Sequence, residues 1–293
     1  MIRILYYTSA VTGTGHLVQG ISIYNALSRN YVRGVFCILH NSMTTIPFRR
    51  LNIRQISIPF EDECILSHDN YQSSELFSAI NFFNPDVLIV DLSWFMLHSF
   101  INELHCKKVF LCRQISEKAF SVPLESGRIE FNPEYFDLLI QTEPFDNYFE
   151  MKQINPIIIK SRDEILSKVE AQKCLDVNGS NPVCMFALNG STELLQRTRK
   201  TYSYLEEEGY DMVYSANYEG GLFPVIDYFN AVDLLICGGG YNAFWESVYF
   251  QKDAIYVAVP TIFEDQQKRI KECSDYMFEE NGADQLVDIL MNL

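Results

Sequence analysis

Short apolar segments alternate with segments of mixed polar and apolar residues along the whole chain. The apolar segments have the length of strands and the mixed ones have helical spacing, which is typical of a doubly wound parallel α/β sheet. In the first half, the pattern predicts six strands, at 2–7, 35–39, 53–58, 87–90, 108–111 and 138–142. It also predicts helices at 20–29 and 73–83, the second of which is closed by Pro85.

The second half repeats this alternation after Asn155-Pro156, which we interpret as a hinge. The predicted strands are 183–188, 211–215, 234–237 and 254–259, and the predicted helices are 162–174, 192–208, 224–230, 242–250 and 266–278. A chain of 293 residues exceeds one typical domain of about 100 to 200 residues. We therefore predict two domains, 1–155 and 156–293, with a last helix at 283–293 that is able to pack back on the first domain.

The most informative segment is 231–246, where a buried strand runs into Gly238-Gly239-Gly240 and a helix follows at once. Glycines let backbone N–H groups approach phosphate oxygens, and a helix N-terminus adds about half a positive charge. Glu246 lies about one and a half turns into this helix, within reach of a ribose. The pattern predicts a nucleotide-diphosphate site; the alternative is a tight turn that binds no ligand.

Together with the strand at 254–259 and the polar segment behind it, 233–266 resembles the donor-binding half of the GT-B glycosyltransferases. The resemblance is strongest to family 28, which contains the enzyme that adds N-acetylglucosamine to lipid-linked peptidoglycan precursors. Three more segments follow the order of that family: Thr12-Gly13-Thr14-Gly15-His16, Asn189-Gly190-Ser191 and Leu222-Phe223-Pro224. The resemblance implies two Rossmann-like domains that face a central cleft.

The resemblance also implies roles for individual residues. The glycine turn with Asn242 would hold the diphosphate of a UDP-sugar or another NDP-sugar, Glu246 the ribose, and Asp265 with Gln266 the sugar. The implied donor contacts are Gly190, Ser191, Phe223, Gly239, Gly240, Asn242, Glu246, Asp265 and Gln266. The implied acceptor-side loop comprises Gly13, Thr14 and Gly15. Arg113, after a predicted strand, either binds a phosphate or acidic acceptor there or is a surface residue.

Transfer of a sugar needs a base for the attacking group, and His16 is the candidate because an imidazole titrates near neutral pH. Asp91 follows the fourth predicted strand and could orient it, as in the His–Asp pair of natural-product GT-B enzymes. Alternatively, His16 caps the following helix or donates to a donor phosphate. Backbone amides at the two glycine loops could stabilise the leaving diphosphate, so we expect neither a metal nor a cofactor.

The resulting expectation is an inverting glycosyltransferase, with inversion implied by the resemblance. A nucleotide-sugar hydrolase of the same fold and a non-catalytic nucleotide-sugar-binding protein are the alternatives. The acceptor is left open, with a phosphorylated or lipid-linked molecule among the candidates.

Composition narrows these expectations. The eight cysteines form no CxxC pair, and Cys37, Cys112, Cys184 and Cys237 lie in apolar runs, which favours buried free thiols. The net charge of −15 disfavours nucleic acid as a partner. Residues 1–60 nevertheless contain six arginines and no acidic residue, so peripheral membrane contact through Phe48-Arg49-Arg50 competes with an ordinary solvated loop. No apolar run nears the roughly 20 residues of a membrane span, and we expect a cytoplasmic protein.

Overall fold

The computed structural model describes residues 1–9, 14–43, 51–125, 127–216, 221–261 and 263–293. The strands are β1 (Ile2–Thr8), β2 (Gly34–His40), β3 (Gln55–Ser57), β4 (Val87–Asp91), β5 (Lys107–Cys112), β6 (Ser121–Leu124), β7 (Gly127–Glu130), β8 (Leu138–Gln141), β9 (Lys152–Gln153), β10 (Val183–Ala187), β11 (Asp211–Ser215), β12 (Leu234–Gly238) and β13 (Asp253–Val257). The α-helices are α1 (Gly15–Arg29), α2 (Glu75–Phe83), α3 (Lys168–Leu175), α4 (Thr192–Thr201), α5 (Tyr204–Glu207), α6 (Tyr241–Tyr249), α7 (Gln266–Cys273) and α8 (Gly282–Met291). Short 3-10 helices lie at Tyr71–Ser73, Trp94–Leu97, Ile101–Glu103, Glu117–Phe120, Pro133–Tyr135, Arg162–Glu164 and Val225–Ala231.

The chain forms two compact units. The first unit comprises Met1–Ile157 and Glu280–Leu293, so that α8 belongs to it, and the second comprises Ile158–Glu279. Helix α8 packs on α1, where the Arg29 side chain donates to both carboxylate oxygens of Asp284 at 2.6 and 2.9 Å.

The first unit is built on a seven-stranded parallel sheet in the order β3-β2-β1-β4-β5-β8-β9. The order reverses between β1 and β4, and open α/β sheets bind ligands at the carboxyl ends of the strands beside such a reversal. Strand β4 is buried along its entire length, as a central parallel strand covered on both faces should be. Tyr6 of β1 and Asp91 of β4 therefore lie beside this edge.

Helix α1 packs against β1 and β2 and is buried from Leu17 to Ile23. Gly20 faces the Tyr6 ring so closely that a Cβ at this position would lie 2.8 Å from the ring carbons. Only glycine therefore lets the helix lie against β1 at this point. The close approach brings the start of α1, and with it His16, to the carboxyl end of β1.

The second unit contains a four-stranded parallel sheet in the order β11-β10-β12-β13. Its order reverses between β10 and β12, which places the loops after these two strands at the corresponding ligand-binding edge. Strands β10 and β12 are apolar and buried in their central residues, so the sheet has its core along this pair.

All ten predicted strands are found, and the α/β class with parallel sheets is confirmed. The predicted helix 192–208 is instead two helices, α4 and α5, and the one predicted at 162–174 begins only at Lys168. There the Ser167 hydroxyl accepts from the Glu170 N–H and Glu170 reaches back to Ser167, a capping box that fixes the helix start. The antiparallel hairpin of β6 and β7 was not predicted, because Pro123 and charged residues interrupt its apolar alternation.

Candidate active site

His16 and Asp91 meet at the carboxyl edge of the first unit's sheet. Asp91 is the last residue of β4, and His16 is the second residue of α1. The His16 Nδ1 atom lies 2.7 Å from Asp91 Oδ2, and the Tyr6 hydroxyl donates to the same oxygen at 2.6 Å. The same hydroxyl lies 2.8 Å from the backbone carbonyl oxygen of His16, so its single proton is shared between two acceptors and Tyr6 contacts both members of the pair.

Arg113 completes this cluster from the next strand. It directly follows β5, and its Nη2 atom lies 2.7 Å from Asp91 Oδ1 and 2.9 Å from Oδ2. The same nitrogen donates to the side-chain carbonyl of Gln19 on α1. Arg113 is 7% exposed and Asp91 is 1% exposed, so their ion pair lies in the interior. The role of Arg113 as an acceptor contact stays a prediction. In the structure, its guanidinium bonds to the buried side chains of Asp91 and Gln19.

Asp91 is held as a carboxylate. Burial by itself would raise the pKa of Asp91, but the Arg113 charge, the His16 ring and the Tyr6 hydrogen bond outweigh it and hold that pKa below its usual range. A carboxylate can only accept hydrogen bonds, so the proton in the 2.7 Å contact belongs to His16 Nδ1. The neutral ring then carries its lone pair on Nε2, which makes no hydrogen bond with any residue that the structure describes.

This assignment also explains the 3.2 Å separation of Arg113 Nη2 from His16 Nδ1. Both nitrogens are donors that converge on Asp91 Oδ2, so the contact between them is not itself a hydrogen bond. The His16 side chain is 31% exposed, in contrast to its partner. A ring held from one side and partly exposed can accept a proton at Nε2 from a molecule that approaches from solvent.

The residues of the predicted acceptor-side loop are only partly described. Thr14 is the N-cap of α1, without a side-chain cap hydrogen bond, and Gly15 is the first residue of that helix. Gly13 lies outside the described residues, and so do Phe48, Arg49 and Arg50 of the predicted basic surface.

In the second unit, Gly238, Gly239 and Gly240 connect the end of β12 to α6. Gly240 is the N-cap and provides no side-chain cap, and the first turn contains no acidic residue. A Cβ at Gly239 would lie 2.9 Å from Cδ1 of Ile270 and 3.2 Å from the Cβ of Gln266, so a side chain there would have to displace residues of α7. At Gly240 the nearest atom would be 3.7 Å away, so packing alone does not require a glycine at that position.

Glu246 lies in α6 with 6% of its surface exposed. Its carboxylate makes no hydrogen bond or ion pair with any described residue, and burial raises its pKa to about 8. The group is therefore largely protonated near neutral pH, and a buried carboxyl group without hydrogen-bond partners is costly in a folded protein. Asn242 is half-buried one helical turn earlier. The unpartnered acid is what a site completed by ligand hydroxyls would contain.

Gln266 and Asp265 lie at the start of α7 and already have protein partners. Asp265 is the N-cap, and its carboxylate accepts from the Lys268 N–H at 2.9 Å. Gln266 accepts from the Val259 N–H at 2.8 Å and donates to Glu264 at 2.9 Å. These bonds fix the segment after β13, and the Gln266 amide retains its second N–H and the second lone pair of its oxygen for a sugar contact.

The other predicted donor contacts follow β10 and β11. Ser191 is the N-cap of α4 and accepts from the Leu194 N–H at 3.2 Å, with Gly190 directly before it. Phe223 is half-buried, two residues after Gly221, and Ser215 at the end of β11 accepts from the Leu222 N–H at 3.0 Å. The loops of β10 and β12 emerge from neighbouring strands of one sheet.

Solved structures resemble the whole chain. It matches the spinosyn forosaminyltransferase SpnP with a TM-score of 0.62 and 11% identity, over 99% of this chain and 90% of that one. The Streptomyces sp. SF2575 glycosyltransferase SsfS6 matches with 0.58 and 13%, over 89% and 82%. Acinetobacter baumannii MurG matches with 0.53 and 11%, over 100% and 91%. The chain has the GT-B fold. No protein-family model and no curated protein sequence matches it.

Among the residues described in this GT-B chain, no group of three or more His, Cys, Asp or Glu side chains could hold a metal ion. Nor does any helix in the described ranges have the length and apolarity to cross a membrane. All eight cysteines are free thiols, and the four predicted to be buried are buried.

Three residues that hold the two candidate regions in place were not predicted from the sequence. Tyr6 and Gln19 contact the cluster around Asp91, and Arg269 contacts the glycine turn before α6. Arg269 is fully buried in α7, donates to the Gly239 carbonyl at 2.9 Å and pairs with Glu264 at 3.0 Å. The Arg269 side chain therefore fixes the backbone of the glycine turn through the Gly239 carbonyl. Nothing in the polar segment Gln267-Lys268-Arg269 distinguishes it from a surface arginine, whereas Tyr6 could have been suspected as one of two adjacent phenols in the first predicted strand.

Proposed function

We propose that this protein is a glycosyltransferase that moves a sugar from a nucleoside-diphosphate sugar to an acceptor hydroxyl or amine. Two observations support the donor class. SsfS6 has been solved with thymidine diphosphate, and VinC, a glycosyltransferase that matches with a TM-score of 0.58 and 12% identity, with dTDP. In this chain, the glycine turn directly precedes α6, and the unpartnered Glu246 lies about one and a half turns into that helix. A UDP- or TDP-sugar is the donor we propose.

In this proposal the donor binds the second unit. Backbone N–H groups at Gly239 and Gly240, with the N-terminus of α6 behind them, hold the diphosphate together with Asn242. Glu246 accepts hydrogen bonds from the ribose hydroxyls, which relieves the cost of its burial. The remaining contacts are proposed to be Gly190 and Ser191 to the diphosphate, Phe223 to the base, and Asp265 and Gln266 to the sugar.

The proposed chemical step is a single displacement. The acceptor's O–H or N–H proton passes to His16 Nε2 while its oxygen or nitrogen forms the bond to the sugar's anomeric carbon. The bond from that carbon to the diphosphate oxygen breaks with its electron pair, and the nucleoside diphosphate leaves. Attack from the face opposite the leaving group inverts the anomeric centre. Asp91 stabilises the imidazolium that forms, because the two are hydrogen-bonded.

We further propose that the reaction needs no metal ion. The negative charge that develops on the leaving diphosphate can be stabilised by the backbone amides and helix N-termini at the two glycine loops. We do not define the acceptor, and a phosphorylated or lipid-linked molecule is the class we propose. We also propose a cytoplasmic location, with peripheral membrane contact through residues 48–50. Nucleic acid is not proposed as a partner.

The observation that carries the catalytic part is the contact of His16 with a buried, ionised Asp91. A protein that only bound nucleotide sugars would have no use for a histidine held through one nitrogen with the other partly exposed. A hydrolase of the same fold would use the same pair on a water molecule, so the choice between transfer and hydrolysis belongs to the experiment.

The first test is a thermal-shift screen with UDP-, TDP- and GDP-sugars. A ligand at a hundred times its dissociation constant stabilises the folded state by about 2.7 kcal/mol. We expect a shift with UDP- or TDP-sugars that Glu246→Gln reduces. The matched control is Glu272→Gln, which changes an exposed glutamate of α7 and should leave the shift unaltered. Failure of every nucleotide sugar to shift the wild type would overturn the proposal.

The second test measures nucleoside diphosphate released from the ligand found in the screen, without any acceptor. Complete turnover identifies a hydrolase, whereas slow leakage that accelerates when an acceptor is added identifies a transferase. No release under either condition, despite tight binding, would leave the non-catalytic binding protein as the correct reading.

A further inference from the structure

Arg113 donates to both oxygens of Asp91 through one nitrogen, which also donates to Gln19. Asp91 Oδ2 receives three donors in total: the Tyr6 hydroxyl, His16 Nδ1 and Arg113 Nη2. Among these donors, Arg113 is the one whose positive charge is permanent at any pH the protein meets. The charge of the buried carboxylate is therefore balanced by Arg113 even when His16 is neutral.

The position of Arg113 is fixed by the sheet and by the helix that carries His16. Asp91 and Leu111 are paired across β4 and β5, so a residue just beyond Cys112 emerges beside the Asp91 side chain. Gln19 lies one turn after His16 on α1, is 1% exposed and accepts from Arg113. The guanidinium therefore joins α1 to the carboxyl ends of two strands.

We propose that Arg113 is a positioning residue, which keeps Asp91 ionised and thereby holds His16 in the Nδ1–H tautomer with Nε2 available as a base. The inference rests on the proposed function for its catalytic meaning, but the tautomer itself is a property of the protein alone. The sequence predicts either an acceptor contact or a surface residue at Arg113, and the positioning role differs from both.

Removal of the Arg113 charge has two possible consequences for the pair, and they give the same signature. The uncompensated carboxylate takes up a proton, in which case its O–H donates to His16 Nδ1 and the ring proton moves to Nε2. Otherwise, the carboxylate draws a second proton onto the ring, which then carries one on each nitrogen. In both cases His16 Nε2 is protonated and cannot accept the acceptor's proton.

The test is long-range ¹H–¹⁵N NMR on the full chain with ¹⁵N-labelled histidine, near pH 7.5. The signals of His16 among the five histidines are identified from their loss in His16→Gln. The wild type should show a proton on Nδ1 and none on Nε2. Arg113→Met should show a proton on Nε2, and Arg113→Lys, which restores a positive charge, should return His16 toward the wild-type pattern.

Arg29→Met is the matched control, because it removes another Arg–Asp ion pair from the same helix, at 2.6 Å and away from His16. It should leave the His16 signals unchanged. A wild-type His16 with its proton on Nε2 would overturn the inference even if Arg113→Met failed to fold. An unchanged Nδ1–H tautomer in a folded Arg113→Met variant would overturn it as well.

Kinetics separate this inference from the proposed function. If nucleotide release is found, Arg113→Met should lower kcat by about tenfold or more while the KM for the donor changes little, since the loss is in proton transfer. The expected tautomer in a protein without any turnover would refute the proposed function and leave the positioning role standing. Turnover with the opposite tautomer would refute the positioning role alone.

Discussion

Each candidate region contains a buried acidic side chain, and the two acids have opposite surroundings. In the first unit, Asp91 is surrounded by Arg113, His16 and Tyr6, so its negative charge is balanced and hydrogen-bonded by the protein. In the second unit, Glu246 is also buried, but no described residue donates to its carboxylate. The pKa of Asp91 is accordingly lowered by its partners, whereas burial alone raises the pKa of Glu246 to about 8.

This difference is consistent with a catalytic role for the first acid and a ligand-binding role for the second. A preorganised group is needed where bonds are made, because reorganisation during the reaction would raise the barrier. A binding site can instead leave a group unsatisfied, and the ligand then gains affinity by supplying the missing hydrogen bonds. The partnered acid thus fits a catalytic pair and the unpartnered acid fits a ligand contact. Substitutions of the two acids should therefore have opposite effects on stability.

Asp91→Asn tests the acid that is paired with Arg113, and it should cause the largest loss of stability among these variants. It leaves the buried Arg113 charge without its anion, so we expect the free energy of unfolding to fall by about 3–5 kcal/mol. The measurement is urea denaturation at pH 7. Asp284→Asn breaks a more exposed Arg–Asp pair and should cost less than about 1 kcal/mol. Equal losses in the two variants would contradict the description of Asp91 as the anchor of a buried ion pair.

His16→Gln should affect catalysis rather than folding. Loss of a general base is expected to lower the rate of nucleotide release by about a hundredfold, or about 2.7 kcal/mol in the barrier. The affinity for nucleoside diphosphate should stay within twofold of the wild type, roughly the resolution of a titration. His105 is exposed, and His105→Gln is the control. Near-full turnover of His16→Gln would show that the catalytic assignment is wrong.

Glu246→Gln tests the buried acid to whose carboxyl group no described residue donates. The unfolded chain loses this proton near the ordinary pKa of a glutamate, whereas the folded protein retains it up to about pH 8. Ionisation therefore favours the unfolded chain, and wild-type stability falls as pH rises between these two values. We expect Glu246→Gln to be more stable than the wild type by roughly 2 kcal/mol at pH 6, by more than that at pH 8.5, and about equal to it at pH 4.

Urea denaturation across this pH range measures the effect, with Glu272→Gln as the exposed control. The same Glu246→Gln variant should bind UDP or TDP more weakly. A variant that is both less stable at pH 8.5 and undiminished in nucleotide binding would remove Glu246 from the proposed donor site.

Much of this arrangement could be predicted from the sequence because it depends on local pattern. Continuous apolar runs define parallel strands that are covered on both faces, and strand order then brings the ends of β1 and β4 together. The pairing of His16 with Asp91, 75 residues apart, could be predicted because both residues follow predicted strands and because the family resemblance implies a His–Asp pair. The glycine turn before α6 was likewise visible, since a run of three glycines after a strand is a local signal.

The partners of charged side chains could not be predicted in the same way. In the sequence, Arg269 looks like a surface residue and Arg113 like either an acceptor contact or a surface residue, and both are buried. Their partners, Asp91 and the Gly239 carbonyl, lie 22 and 30 residues away and depend on the packing of whole helices against the sheets. Gln266 illustrates the converse, because its motif position suggests a ligand contact while its amide already bonds to Val259 and Glu264.

The glycine turn offers the smallest and most discriminating test, because neighbouring glycines differ in what surrounds them. Gly239→Ala forces a Cβ against Ile270 and Gln266 and should lower the free energy of unfolding by about 1–2 kcal/mol. Gly240→Ala has room, with its nearest neighbour at 3.7 Å, and should cost only about 0.5 kcal/mol at this N-cap. If backbone amides hold the diphosphate, Gly240→Ala should nevertheless weaken UDP or TDP binding several-fold, by about 1 kcal/mol, in a calorimetric titration. Wild-type affinity in a folded Gly240→Ala would mean that this turn serves packing alone, and the second unit would then need its diphosphate contacts elsewhere.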